Sequence, residues 1–413
     1  MRRTALFAAL MASACTVASA QTNLEKLSNF KTTGTTDFTV VEQGGSKAEA
    51  IKAILEKINL PDGFTIDLYA IVPDARHMAV GPQGIVTFVG TRKTKIWAVT
   101  DRDKDRVADE VKDFAPSIEF AIPNGPCFSP EGVLFLAEQN RVLSFPAAEF
   151  FYESPDVAAF NVVKKGDLIP VEEESYNHTA RVCRVGPDGK LYISLGQPFN
   201  VPPAEKLEIF GQHGIGGIIR IGQDGTGRDV YTHGVRNSVG HDFNPKNGEF
   251  WFTDNQVDGL GDDDPPGELN RQTAAGQNFG FPYFGGGSVR TNEYKDKEPP
   301  ADAVKPAAEM AAHAADLGMT FYSGNQFPQK YRGGIFSAQH GSWNRTKPVG
   351  ARVMFTPVNE DGSAGTPEVF AEGWLDANGE YLGRPVDIAQ LRDGSILVSD
   401  DLVGALYRIS YKD

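Results

Sequence analysis

One local pattern recurs along most of this chain and constrains the fold more than any other feature. An apolar run meets a short turn that ends in glycine, and a second apolar run follows. The turns are Gly81-Pro82-Gln83-Gly84, Ser129-Pro130-Glu131-Gly132, Gly186-Pro187-Asp188-Gly189, Asn244-Pro245 to Gly248, and Leu391-Arg392-Asp393-Gly394. The runs after them read VTFVG, VLFLAE, LYISLG, FWFTDN and ILVSDD, and a degenerate sixth unit spans Phe327-Pro328 to Ser337. Such runs bounded by turn residues read as β-strands, and the turns stand roughly 50 to 80 residues apart, at or beyond the period of a propeller blade. Helical periodicity is scarce between them, which disfavours an α/β sheet. The pattern predicts an all-β, six-bladed β-propeller. Two strands are left over, Phe64–Tyr69 and Ala405–Ile409; pairing them in one blade closes the ring and hides its edges.

The repeat begins near residue 60, and residues 60–413 are assigned to the propeller. Residues 1–20 read as a secretory signal, with Arg2 and Arg3, an apolar run, then Ala18-Ser19-Ala20. Residues 21–59 form an N-terminal extension with one helix: Ser46 to Glu49 fits a capping box, and Ile51, Ile54, Leu55 and Ile58 recur at helical spacing. This short helix is expected to pack outside the propeller and to stop before Pro61. The Lys-, Pro- and Ala-rich stretch Thr291–Asp316 reads as an excursion between blades. Without the leader the chain keeps 38 basic and 54 acidic residues, a formal charge of −16. That balance argues against nucleic acid or an anionic membrane as partner. No further stretch is long and apolar enough for a membrane span, so the protein reads as periplasmic or secreted and not as an integral membrane protein. Cys127 and Cys183 could form one disulfide in an oxidising compartment, but their apolar contexts favour buried free thiols.

The chemistry concentrates between Val235 and Tyr283. Here a strand delivers its end into a loop with Asp254, Asp258, Asp262, Asp263, Asp264 and Glu268. Oxygen-rich loops of this kind suit Ca²⁺. An EF-hand is rejected, because Pro265 stands where its bidentate Glu belongs. Four loop positions stand out around the predicted channel: His178, Arg236-Asn237, the segment His340–Arg345, and Arg384. Singly, each has a structural explanation, since loop histidines often only hydrogen-bond and arginines often pair with surface carboxylates. Three arginines and a histidine at one end of the channel of an acidic protein instead call for an anionic partner, and a polycarboxylate satisfies them.

The motifs GVRNSVG, GEFWFTDN, GDDDPPGELN and GQNFGFPY, with FSAQHGSWNRTKPVGARV, GRPVDIAQLRDGSILVSDD and LPDGFTIDLYA, closely resemble the sorbosone dehydrogenase-like branch of the soluble quinoprotein sugar dehydrogenases. The resemblance covers about residues 60 to 411. It implies a six-bladed propeller that binds pyrroloquinoline quinone (PQQ) and Ca²⁺ and oxidises a sugar, polyol or sugar aldehyde. It assigns His178 as the general base, Arg236 to the quinone with Asn237 beside it, and Arg345 and Arg384 to the PQQ carboxylates. Backbone carbonyls at Asn255 and Gln256 correspond to the catalytic Ca²⁺ site, and Glu268 with the Phe279 carbonyl to a structural one. Gln197 stands where the glucose-oxidising branch has an Asp that orients the base, and Phe199 where the sorbosone-like branch often has Cys. No haem-attachment motif is present, so electrons would pass to a separate acceptor, a cytochrome or quinone. The competing reading is a non-redox propeller, either a Ca²⁺-dependent lactonase-like hydrolase or a binding scaffold; the arginine cluster has no evident use there.

Overall fold

Glycine ends these turns because the chain must enter the left-handed region there. Gly84, Gly132, Gly189, Gly248 and Gly394 all have φ between 70° and 89°, where a side chain is strained. Each turn joins the first strand of a four-stranded antiparallel sheet to the second. The computed structural model describes residues 37–412, so the predicted leader lies outside the described residues. Among them are six such sheets, opening with Met78–Val80, Gly125–Phe128, Cys183–Val185, Gly240–Phe243, Asp316–Phe321 and Pro385–Gln390, the third widened by a short fifth strand, Gln277–Asn278, that pairs parallel with Asp229–His233. These six strands contact one another in a closed circuit, which places them around the axis and defines blades 1 to 6. The fold is a six-bladed β-propeller.

The second strand of every blade is buried along its whole length. That is why these runs are apolar at consecutive positions: the adjacent blades cover both faces, so nothing selects for alternation. Blade 6 is completed from the other end of the chain. Phe64–Ile71 pairs antiparallel with Ala405–Tyr411, from Phe64 opposite Tyr411 to Ile71 opposite Ala405. The two leftover strands close the ring as expected.

Helix α1 spans Gly45–Leu55 and lays Ala48, Ile51 and Leu55 on the core of blades 5 and 6. The capping box is not used. The helix starts one residue before Ser46, with extended Gly44 as its N-cap and no side-chain cap, because burial of the apolar face sets the register. The segment is further tied to the propeller by backbone bridges from Val40 to Lys112 and from Asn59 to Glu372. Thr291–Asp316 is not purely an excursion, since its Ala308–Met310 forms the outer strand of blade 4.

The expectation of free thiols is corrected. Cys127 and Cys183 form a disulfide between the inner strands of blades 2 and 3, with Cα atoms 5.6 Å apart, inside the bridging range. Their apolar surroundings reflect burial and carry no information about what lies across the blade interface.

Candidate active site at one end of the channel

The segments that lead into the inner strands all arrive at the same end of the propeller. They carry Arg76 and His77 for blade 1, Asn124 for blade 2, His178 to Arg181 for blade 3, Arg236 to Ser238 for blade 4, His313 for blade 5 and Arg384 for blade 6. Hydrogen bonds knit them together. Arg76 donates to Asn124 Oδ1 at 3.0 Å and to Asp401 Oδ2 at 2.6 Å. Asn124 donates to the Arg181 carbonyl, and Arg181 donates to the carbonyls of His178 and Gly196. Arg384 donates to His340 Nδ1 at 3.3 Å and to the Ser342 carbonyl, and its guanidinium lies over the Tyr381 ring. Because Arg384 can only donate, His340 must carry its proton on Nε2 and give it to Asp401 Oδ1 at 2.8 Å. Burial pushes the Asp401 carboxyl up, but His340 and Arg76 outweigh it and hold it well below the usual range.

His178 is half-buried, and its Nδ1 lies 2.5 Å from the main-chain oxygen of Gln197. The imidazole is thus oriented by a backbone carbonyl and not by the Gln197 amide. That amide is folded back onto the backbone N–H and carbonyl of Phe199, which corrects the expectation that it orients the ring. The carbonyl fixes the tautomer: Nδ1 carries the proton and Nε2 keeps its lone pair. Burial, then the charges of Arg236 and Arg181, lower the His178 pKa to about 3, against the opposing pull of the Gln197 carbonyl.

Arg236 is 5% exposed. It binds Asn200 through the main-chain and side-chain oxygens, the Asn255 carbonyl at 3.3 Å and Asp258 Oδ2 at 3.0 Å. Its own N–H and that of Asn237 donate to the two oxygens of Asp254. The buried Asn237 Oδ1 has no protein partner. Beneath this layer Asp254, Gln256, Glu268 and Phe279 line a cavity of about 10 Å³, the room one water-sized species needs. Burial raises Asp254 to about 6, and burial with the neighbouring Asp254 charge raises Glu268 to about 7. Gln256 Oε1 is also buried without a partner. Two crowded carboxylates and an orphan amide oxygen are a donor set for a hard cation.

The structure thus gathers Gln256, Glu268 and Phe279 in one cavity and adds Asp254 to them. Asn255 turns its side chain to the carbonyls of Asn237 and Asp316. Arg345 binds the carbonyls of Ala312 and Lys347 and pairs with Asp263, whose carboxylate is 90% exposed. Together with Asn344–Asp258 and Thr346–Asp262 it staples the acidic loop to blade 5. Arg76 and Arg181, each 3% exposed, escaped the sequence reading. Their one signal is position, since both stand just ahead of an inner strand, as Arg236 and Arg384 do.

The family described as Glucose / Sorbosone dehydrogenase matches residues 162–342. An uncharacterized protein of Borreliella burgdorferi is 37% identical over 248 residues, 59% of this chain and 63% of that protein. A pyrroloquinoline quinone-dependent pyranose dehydrogenase of Coprinopsis cinerea is 37% identical over 67 residues, 16% of this chain and 8% of its own length. Among solved structures, the PQQ domain of the Coprinopsis cinerea pyranose dehydrogenase, in its holo form, aligns with a TM-score of 0.69 at 18% identity, covering 86% of this chain and 97% of that one. A Trichoderma reesei carbohydrate-active enzyme gives 0.72 at 18% identity over 86% and 98% of the two chains. The soluble aldose sugar dehydrogenase of Escherichia coli gives 0.58 at 16% over 84% and 100%. These structures share the propeller fold with this chain.

Proposed function

We propose, from the match of residues 162–342 to the glucose/sorbosone dehydrogenase family, that this chain is a PQQ- and Ca²⁺-dependent dehydrogenase of a sugar, polyol or sugar aldehyde. One observation carries the reading: a histidine held neutral, with a free Nε2, beside a buried arginine at the channel mouth. When bound, PQQ supplies a hydride acceptor and Ca²⁺ the Lewis acid that polarises it. His178 Nε2 takes the proton of the substrate hydroxyl as the adjacent carbon gives up hydride. Arg236, already desolvated, stabilises negative charge that develops opposite it.

The residues fit the cofactor's charge. Asn237 Oδ1 awaits a donor, and the guanidinium groups of Arg384 and Arg345 suit carboxylates. Arg345 is free to exchange Asp263 for a ligand, because a pair with so exposed a carboxylate holds weakly. Tyr176 and Trp343, 94% and 78% exposed, stand on the loops that carry His178 and Arg345 and offer rings to a sugar face. The Cys127–Cys183 disulfide suits an oxidising compartment such as the periplasm. Electrons then leave for a separate cytochrome or quinone.

The test adds PQQ and Ca²⁺ to the purified protein and follows dye reduction with aldoses, polyols and sugar aldehydes. Substrate-dependent reduction that requires both additions is the expected result. Lactone hydrolysis without dye reduction would instead make the protein a hydrolase. The cation cavity has its own readout: a chelator should lower the melting temperature and Ca²⁺ restore it, the ion stabilising the fold by about 2.7 kcal/mol when it is at 100 times its dissociation constant. Glu268→Gln should weaken that response. A melting temperature indifferent to both reagents would empty the assignment of its metal.

A further inference from the structure

The turn between the third and fourth strands of blade 1, Trp97–Thr100 and Glu110–Asp113, is far from the residues used above and spells Asp101-Arg102-Asp103-Lys104-Asp105-Arg106-Val107-Ala108-Asp109. Asp101, Asp103 and Asp109 each bring a carboxylate oxygen within 4.8 Å of the others. Acidic turns are common without an ion, and the loop's own N–H groups occupy several of these oxygens, Arg106 N on Asp101 Oδ2 and Asp105 N on Asp103 Oδ1 among them. What sets this turn apart is Asp101 Oδ1. The side chain is 8% exposed, and this oxygen is buried with no hydrogen-bond partner. A buried carboxylate oxygen left bare is costly unless something fills the place opposite it.

The nearby cations do not fill it. Arg106 aims Nε at Asp393 Oδ2, 3.2 Å away, and approaches Asp101 only at 4.0 Å through the other oxygen. Arg102 turns to Glu110 and Glu153. The acids fall at positions 1, 3, 5 and 9 of a loop whose position 7, Val107, offers a carbonyl, which is the oxygen spacing of a Ca²⁺ loop. Position 12 is Lys112, which pairs with Glu110, so the bidentate glutamate of an EF-hand is missing.

We infer that this turn is a second, separate Ca²⁺ site, held by Asp101, Asp103, Asp105, the Val107 carbonyl and Asp109, which locks the outer half of blade 1. With no bidentate ligand and three basic residues in the loop, its dissociation constant belongs at about 10⁻⁴–10⁻³ M, the range of extracellular modules. The test is the Ca²⁺ stoichiometry of the chelator-stripped full chain, by titration calorimetry without PQQ. Asp103→Asn/Asp109→Asn changes only exposed side chains and should bind one Ca²⁺ fewer than its parent. The same loss should appear in a Glu268→Gln background, which separates this site from the cavity under Arg236. Asp101→Asn, isosteric and inside the turn, should lower the affinity at least tenfold. Equal stoichiometry in the parent and the double variant, in both backgrounds, would overturn the site.

Discussion

His178→Ala is expected to lower turnover by about 10²–10⁴-fold, the contribution of a positioned general base, with PQQ still bound. Cofactor affinity should survive, because the proposed function places the cofactor on the arginines and the metal ligands, and binding is measured separately by equilibrium titration. The pH profile sharpens the test. Only the neutral ring accepts a proton, so activity is lost as pH falls through the His178 pKa and is full above it. Burial and Arg236 lower that pKa to about 3. The rate is therefore expected to stay flat from neutral pH down to about 5, and an acid limb near the ordinary imidazole value of about 6.5 would contradict the placement. His340 is no substitute, since Arg384 and Asp401 occupy both of its ring nitrogens. Full activity in His178→Ala with PQQ bound would reject the base outright. Loss of PQQ along with activity would make His178 a cofactor ligand.

Removing the disulfide has the largest expected effect on stability. The bridge closes a loop of 56 residues between two inner strands. Chain entropy alone assigns such a closure about 4 kcal/mol. Cys127→Ser/Cys183→Ser should shift the urea midpoint down by that energy divided by the slope, and dithiothreitol should do the same to the wild type once it unfolds. An unchanged midpoint under reductant would mean that the thiols are not joined.

The blades were legible in the sequence because their signal is local. A glycine at positive φ after a Pro- or Asp-containing turn, followed by a strand buried on both faces, writes itself into consecutive residues. What crosses between blades is not written that way. Cys127 sees Cys183 only after two blades have packed, and both look like core residues until then. The same holds for Gln197, where the sequence offers a side chain and the structure uses its carbonyl. Arg76 and Arg181 look like surface arginines, since a residue's neighbours in sequence say little about whether a loop will fold over it. His178 and Arg236 stood out by their phase in the repeat and Glu268 by its acidic loop, and their roles came from the family resemblance. The Asp101 turn was spelled openly but lay away from the acidic loop that drew attention.

The closure of blade 6 has a consequence for how this chain comes to be folded. Thr65 and Ser410 share a 3.1 Å hydroxyl contact although 345 positions separate them. Blades 1, 2 and 5 can each assemble from contiguous chain as it is synthesised, while blades 3 and 4 interleave only locally, since Gln277–Asn278 joins blade 3 from between the last two strands of blade 4. Strand Phe64–Ile71, made early, has no partner until Ala405–Tyr411 exists, and it waits with an open edge. Such long-range pairing is slow, because loop closure must precede any contact that rewards it. Nascent chains stalled shortly before residue 405 should accordingly be trapped as an unlatched ring, sensitive to protease and prone to pairing edge to edge, and release of the last strand should end both at once.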